Sequence, residues 1–145
     1  MIKIIYPDKK PSIKTEDGKE TVFCIIRKRW VLLTPEEWVR QNFLLYLTET
    51  LSYPASLIAV EKQLMLGDVK KRFDIVVYGK DMKPFMIVEC KEMNVPLTES
   101  VLQQVLRYNI NIQAEYLIIT NGSDCFIFYK NGPVLEQVEK MPQSI

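Results

Sequence analysis

The run Pro84-Phe85-Met86-Ile87-Val88-Glu89-Cys90-Lys91 is apolar enough to form a buried strand, yet it ends in a carboxylate and an ammonium. Charge in such a place is costly unless it is paired. Strand side chains alternate between faces, so Glu89 and Lys91 share one face about 6.6 Å apart and Cys90 turns to the other. A second run, Arg72-Phe73-Asp74-Ile75-Val76-Val77-Tyr78, sets Asp74 among apolar neighbours, where a cation or hydrogen-bond donors must meet it. A fold that brings these three ionisable residues together would place two carboxylates and a lysine in one site.

The chain has 145 residues, of which 48% are hydrophobic and 26% charged, enough for one domain with a genuine core. No run is long and apolar enough to span a bilayer, and the start, Met1 to Pro7, is too short for a signal-peptide core, so the expected location is cytoplasmic, with no membrane partner. Cys24, Cys90 and Cys125 are widely spaced and form no CxxC pair, which supports neither a disulfide framework nor a zinc knuckle; reduced thiols in the core are expected. Histidine is absent, which excludes Ser-His and Cys-His nucleophiles and histidine zinc sites. Acid-base or metal chemistry must rest on carboxylates, lysine or tyrosine. The net charge of +1 gives no global basic field. Two short basic runs, Arg27-Lys28-Arg29 and Lys70-Lys71-Arg72, read as solvated turn or edge-strand charges unless they lie beside the carboxylates.

Residues Ile2 to Tyr6, Thr21 to Ile26 and Trp30 to Leu33 read as β-structure, with a turn at Asp17-Gly18. Thr34-Pro35-Glu36-Glu37 signals a helix start: Thr34 as cap, Pro35 at the first helical position and Glu37 as the return partner of a capping box. Helical periodicity runs to about Leu51, and Tyr53-Pro54 closes it. A strand within Leu57 to Leu66, a turn at Gly67-Asp68, and strands Arg72 to Tyr78 and Phe85 to Lys91 form a meander. A second helix spans Thr98 to Gln113, then strands Tyr116 to Thr120 and Cys125 to Tyr129 join at Asn121-Gly122-Ser123-Asp124, and the tail from Gly132 reads as irregular. This order predicts an α/β (α+β) domain with a mixed sheet flanked by helices.

Asp and Glu on adjacent strands, with a lysine two residues beyond the Glu, suit metal-assisted hydrolysis of a phosphodiester. The carboxylates offer hard oxygen ligands to Mg²⁺, which polarises the phosphate and acidifies a bound water. The lysine can hold that water or stabilise charge developing on phosphorus. The order Asp74, turn, Glu89-Cys90-Lys91, helix resembles the core of the PD-(D/E)xK nuclease superfamily, with Phe73-Asp74 where the superfamily has Pro-Asp. In the second helix, Gln104-Val105-Leu106-Arg107-Tyr108 fits the Gln-x-x-x-Tyr element of its RecB-like branch, whose two side chains share a helix face. More closely, Leu33 to Gln41, Arg72-Phe73-Asp74, Ile87 to Lys91, Gln104 to Asn109 and Thr120-Asn121-Gly122 resemble the N-terminal nuclease domain of type I restriction enzyme R subunits in a small stand-alone form, over residues 21 to 122.

That resemblance implies a restriction-endonuclease-like core over residues 34–130, with an N-terminal β-hairpin extension over 1–33 packed on the same domain and a C-terminal tail over 131–145. It implies that Asp74 and Glu89 bind Mg²⁺, or Mn²⁺ in its place, with the Cys90 carbonyl as a further ligand and Lys91 as the catalytic lysine. Glu37 would be an outer acidic ligand, with Glu36 its rival; Gln104 would orient Lys91 or the attacking water, and Tyr108 would touch the nucleic-acid backbone. The implied partners are DNA, a protein supplying a motor or target recognition, since no Gly-x-x-x-x-Gly-Lys-Ser/Thr loop is present, and a second copy in a homodimer.

Each of these residues also has a plainer role. Glu89 and Lys91 could form a structural ion pair, Glu37 is explained by helix capping, and Tyr108 could pack under the sheet. Arg107 and Asn109 are expected to face solvent, and Trp30 and Trp38 to anchor packing. The competing functions are a Mg²⁺-dependent nuclease and a catalytically silent nucleic-acid-binding or protein-docking module on the same fold.

Overall fold

Thr34 caps the first helix as its spacing predicts: its Oγ1 accepts the Glu37 N–H at 3.0 Å, and Pro35 occupies the first turn. The capping box is only half made, because the Glu37 carboxylate turns away to Arg27 and Arg40. The computed structural model describes residues 1–144. Its elements, in chain order, are β1 (Ile2–Lys3), β2 (Ile13–Glu16), β3 (Lys19–Cys24), β4 (Arg29–Leu32), α1 (Pro35–Leu45), β5 (Ile58–Leu66), β6 (Val69–Tyr78), β7 (Pro84–Cys90), α2 (Glu99–Tyr108), β8 (Tyr116–Thr120), β9 (Asp124–Asn131) and β10 (Val134–Val138). A π-helical turn, Tyr46–Thr50, extends α1.

The central sheet has seven strands in the order β1-β9-β8-β7-β6-β5, and β10 also pairs with β9. β7 and β8 are parallel, and α2 makes the crossover between them; every other pairing in this sheet is antiparallel. A separate three-stranded sheet, β2-β3-β4, turns at Asp17-Gly18, where both residues have positive φ (51° and 76°), as a two-residue hairpin loop that follows the strand twist requires.

The two helices cover opposite faces of the central sheet. Val39, Phe43, Leu44 and Leu47, from α1 and its π-turn extension, pack with Ile75, Val77, Met86, Val88, Ile118 and Ile127. Leu102 and Val105 of α2 pack with Val76, Ile87, Leu117, Ile119 and Phe128. The alternation along β7 follows the pleat: Met86, Val88 and Cys90 lie on the α1 face and Ile87 on the α2 face. The result is a three-layer α+β fold of restriction-endonuclease type, with an additional small β-sheet.

Four details depart from the sequence expectations. Helix α2 stops at Tyr108 rather than Gln113, because Asn109, expected at the surface, is fully buried and its Nδ2 donates to the Val105 carbonyl at 2.7 Å. The tail carries β10, whose backbone completes the edge of β9. β1 leaves the N-terminal extension and joins the central sheet on β9, sharing that edge with β10. Trp30 stays 38% exposed against Phe23 and the Lys14 ammonium, so it anchors no core. Cys24, Cys90 and Cys125 are free and buried. No helix among the described residues is long and apolar enough to cross a membrane.

Phe43 is fully buried and fastens α1, with its charged first turn, to the sheet. Phe43→Ala is expected to cost about 3–5 kcal/mol by loss of burial and cavity formation, measured as a lower denaturant midpoint at unchanged slope.

Candidate active site

Asp74 sits where the alternation of β6 breaks. Ile75 and Val77 face α1, but Phe73, which should share their face, packs in the cluster on the α2 side. Across the ladder, the rungs run Val60–Ile75 and Lys62–Phe73, and between them Glu61 adopts φ 53°, a left-handed conformation that costs a β-strand residue roughly 1–3 kcal/mol. Beyond this point the β5–β6 hairpin folds over the α2 face, where Leu64 and Leu66 pack on the second core. β6 pairs with β7 only from Ile75 onward, so the strands part at Asp74. The Cys90 N–H donates instead to Asp74 Oδ2 at 2.8 Å.

The other oxygen of Asp74, Oδ1, accepts from Arg40 Nη2 at 2.8 Å. Arg40, with its side chain only 7% exposed, also bonds Glu37 Oε1 at 2.9 Å and lies 3.5 Å from Glu61 and 3.8 Å from Glu36. Glu37 is saturated: Arg27 Nη2 donates to both its oxygens at 3.1 and 3.0 Å, and Gln41 Nε2 donates at 3.0 Å. Arg27 reaches Glu61 at 3.2 Å as well, so a chain of charges links the β3–β4 turn, α1, the strained strand residue and Asp74. Every carboxylate in it faces a guanidinium, as burial requires.

Glu89 lies next along the α2 face from Ile87. Lys71 Nζ is 2.9 Å from its Oε1 and donates to Asn109 Oδ1 at 3.0 Å. Burial pushes the Glu89 carboxyl up, with the Asp74 charge adding to that rise while Lys71 and Lys91 oppose it. Glu36 is likewise raised, by partial burial and then by the Asp74 carboxylate, against Arg40 and Lys91. Asp74 and Lys91 therefore act electrostatically on both Glu89 and Glu36. Lys91 stands just past the end of β7, its N–H donating to the Thr120 carbonyl at 2.8 Å. Among the described residues its amine forms no ion pair.

Of the residues singled out in the sequence, Asp74, Glu89, Cys90 and Lys91 gather where β6 and β7 diverge. Glu37 lies close by, but its oxygens are spent on Arg27, Arg40 and Gln41; the half-exposed Glu36 is the helix carboxylate coupled to Asp74 and Lys91. Gln104 and Tyr108 share the exposed side of α2, Tyr108 at 65% exposure, while Leu102 and Val105 face the sheet. Four partners had no role assigned from sequence: Arg40, Gln41, Asn109 and Glu61. The two basic runs held part of the signal, since each sends one member, Arg27 or Lys71, into the acidic cluster.

Among the described residues no three His, Cys, Asp or Glu side chains are arranged to hold a metal ion. Asp74 and Glu89 are hard oxygen donors of the type a divalent cation takes; both Asp74 oxygens accept hydrogen bonds here, and Lys71 stands 2.9 Å from Glu89 Oε1. A mixed sheet between two helices, with acidic residues and a lysine at the parting of two strands, defines a restriction-endonuclease-like domain. The family described as the type I restriction enzyme R protein N terminus matches residues 35–142, and the chain belongs to it. Comparison with curated proteins gives no significant match.

Two outcomes follow from this electrostatic arrangement. Arg40→Met strips the counter-charge from Asp74 and one from Glu37, and is expected to cost about 3–5 kcal/mol in denaturant unfolding. Glu89 has a folded-state pKa above its unfolded value, so its protonated form favours the fold and its ionisation disfavours it: that contribution is fully present below the ordinary carboxylate range and lost as pH rises through the raised value. Glu89→Gln is therefore expected to melt higher than the parent at pH 8, with the gap closing towards pH 4, read by thermal denaturation without added metal.

Proposed function

We propose that the chain is a metal-dependent nuclease domain that hydrolyses DNA phosphodiesters in a restriction or defence setting. Membership of a family named for a restriction enzyme subunit supports the setting. The observation that carries the chemistry is the parting of β6 and β7 at Asp74, whose carboxylate takes the N–H of Cys90, the residue between Glu89 and Lys91, at 2.8 Å.

In this reading Asp74, Glu89 and the Cys90 carbonyl hold Mg²⁺ or Mn²⁺, and Glu36 rather than Glu37 is the outer acidic residue, acting through water. The bound ion would supply Lewis acidity toward the phosphate and a more acidic water. Lys91 holds the attacking water or meets the charge that develops on the phosphate oxygens. Gln104 and Tyr108, on the exposed side of α2, would meet the nucleic-acid strand, and Gln104 would reach Lys91 or its water only with the strand bound. Glu37 has a different task, fixing Arg27 and Arg40 so that Asp74 keeps its place.

A second reading has its own support. Both oxygens of Asp74 are already engaged and Glu89 has a lysine at 2.9 Å, an arrangement that a silent docking or nucleic-acid-binding module could keep for stability alone. Incubation with single- and double-stranded DNA and Mn²⁺ or Mg²⁺ separates the two. The nuclease reading expects cleavage, slowed about 10²–10³-fold by Lys91→Ala, the scale of losing one charge-stabilising group. Equal cleavage by parent and variant would reject the assigned site, and binding without cleavage, indifferent to Asp74→Ala, would favour the docking module.

A further inference from the structure

Lys71 is the cation that stands against Glu89, and its surroundings distinguish it from an ordinary ion-pair partner. It comes from the β5–β6 hairpin, which reaches this position only because the strand reverses faces at Asp74. Its ammonium is 2.9 Å from Glu89 Oε1, 3.0 Å from Asn109 Oδ1 and 4.9 Å from the centre of the Phe73 ring. Asn109 is fully buried and its own amide is tied to the Val105 carbonyl, so its Oδ1 is a fixed acceptor for Lys71. Glu89 Oε1 is buried, and Lys71 is the cation in direct contact with it. Lys71 therefore holds a second, fixed acceptor in Asn109 beside its charged contact with Glu89. The lysine side chain is 30% exposed against 14% for the glutamate, and its neighbours Lys70 and Arg72 are exposed.

An ion-pair partner that is part-exposed and keeps a second acceptor is the easiest kind to exchange for another cation. A divalent ion on Glu89 would supply more charge at the same carboxylate and repel the ammonium, which can remain on Asn109 without losing that bond. We propose that Lys71 is an exchangeable counter-cation: it neutralises Glu89 in the metal-free protein, competes with the divalent ion for that carboxylate, and once displaced presents its charge, beside Lys70 and Arg72, to a nucleic-acid phosphate. This rests on the metal-nuclease reading above. Metal and nucleic acid then bind with positive coupling, each strengthening the other by the same factor. Lys71 acts on the metal through Glu89 and on the nucleic acid directly.

The test is calorimetric titration of the whole chain with Mn²⁺ alone, comparing the parent with Lys71→Met, Lys71→Gln and Asp74→Ala. Gln keeps a donor for Asn109 and serves if the Met variant folds poorly. The expected result is Mn²⁺ binding that tightens on the order of tenfold when the Lys71 charge is removed and is lost in Asp74→Ala. In a Lys91→Ala background, anisotropy of a labelled oligonucleotide across a salt series should show the Lys71 variants losing roughly one unit of log–log slope with Mn²⁺ present and none without it. Mn²⁺ affinity in both Lys71 variants equal to or weaker than in the parent, with Asp74→Ala still abolishing binding, would overturn the role of Lys71 and leave the metal site standing. Absence of Mn²⁺ binding in parent and Lys71 variants alike would overturn the metal reading and this inference with it.

Discussion

Asp74 is held by a guanidinium on one oxygen and a backbone N–H on the other, and much of the local architecture exists to make that possible. A carboxylate in the middle of an apolar strand cannot remain unmatched. The protein meets the need by parting β6 from β7 one position before the ladder would otherwise continue, so that the Cys90 N–H turns to a side chain instead of a backbone carbonyl. It also holds Glu61 in a left-handed conformation across from Asp74, which reverses the faces of the outer hairpin. The local strain sits beside the charge cluster, and the packing of Leu64 and Leu66 on the second core offsets it.

The counter-charges come from distant parts of the chain. Arg27 belongs to the turn of the small sheet, Arg40 to α1 and Lys71 to the curled hairpin; Arg27 and Arg40 share Glu37, Arg40 alone reaches Asp74, and Lys71 meets Glu89. This makes the N-terminal sheet part of the charge support and not an appendage, since Arg27 orders Glu37, which in turn orders Arg40. It also gives the cluster two tiers. In the Arg27–Glu37–Arg40–Asp74 tier buried carboxylates meet buried guanidinium groups, whereas Lys71 is 30% exposed and keeps a second acceptor in Asn109 beside Glu89. A site that exchanges one cation for another would be expected to do so at the second tier, because the first cannot open without stranding buried charge.

Much of this was legible in the residues themselves. The Thr34-Pro35 helix start, the turns at Asp17-Gly18 and Gly67-Asp68, and the alternation of β7 follow from local chemistry and appear in the structure as read. Other features were not. Periodicity carried α2 on to Gln113, but a buried Asn109 ends it, and whether an asparagine is buried depends on what packs over it. The tail beyond Gly132 lacks a strong strand pattern because β10 lies at an edge, where one face and one row of backbone groups stay wet and the sequence is free to be polar. Glu37 carried two plausible roles, cap and ligand; its half of the capping box went unused because two arginines from elsewhere compete for the carboxylate.

By itself the sequence determined which groups need each other. An aspartate between apolar neighbours and a Glu-Cys-Lys strand end are local facts whose energetic demand is the same in any fold that buries them, and they announced a shared site before any coordinates. Only the tertiary structure decided which cations answer that demand. Arg40 and Lys71 are unremarkable in sequence, and their selection over Lys70, Arg72 or Lys91 depends on the face reversal at Asp74 and the fixed acceptor at Asn109. Charge pairing falls off with distance and with water, so a partner is chosen by where the chain folds, not by what the neighbouring residues are.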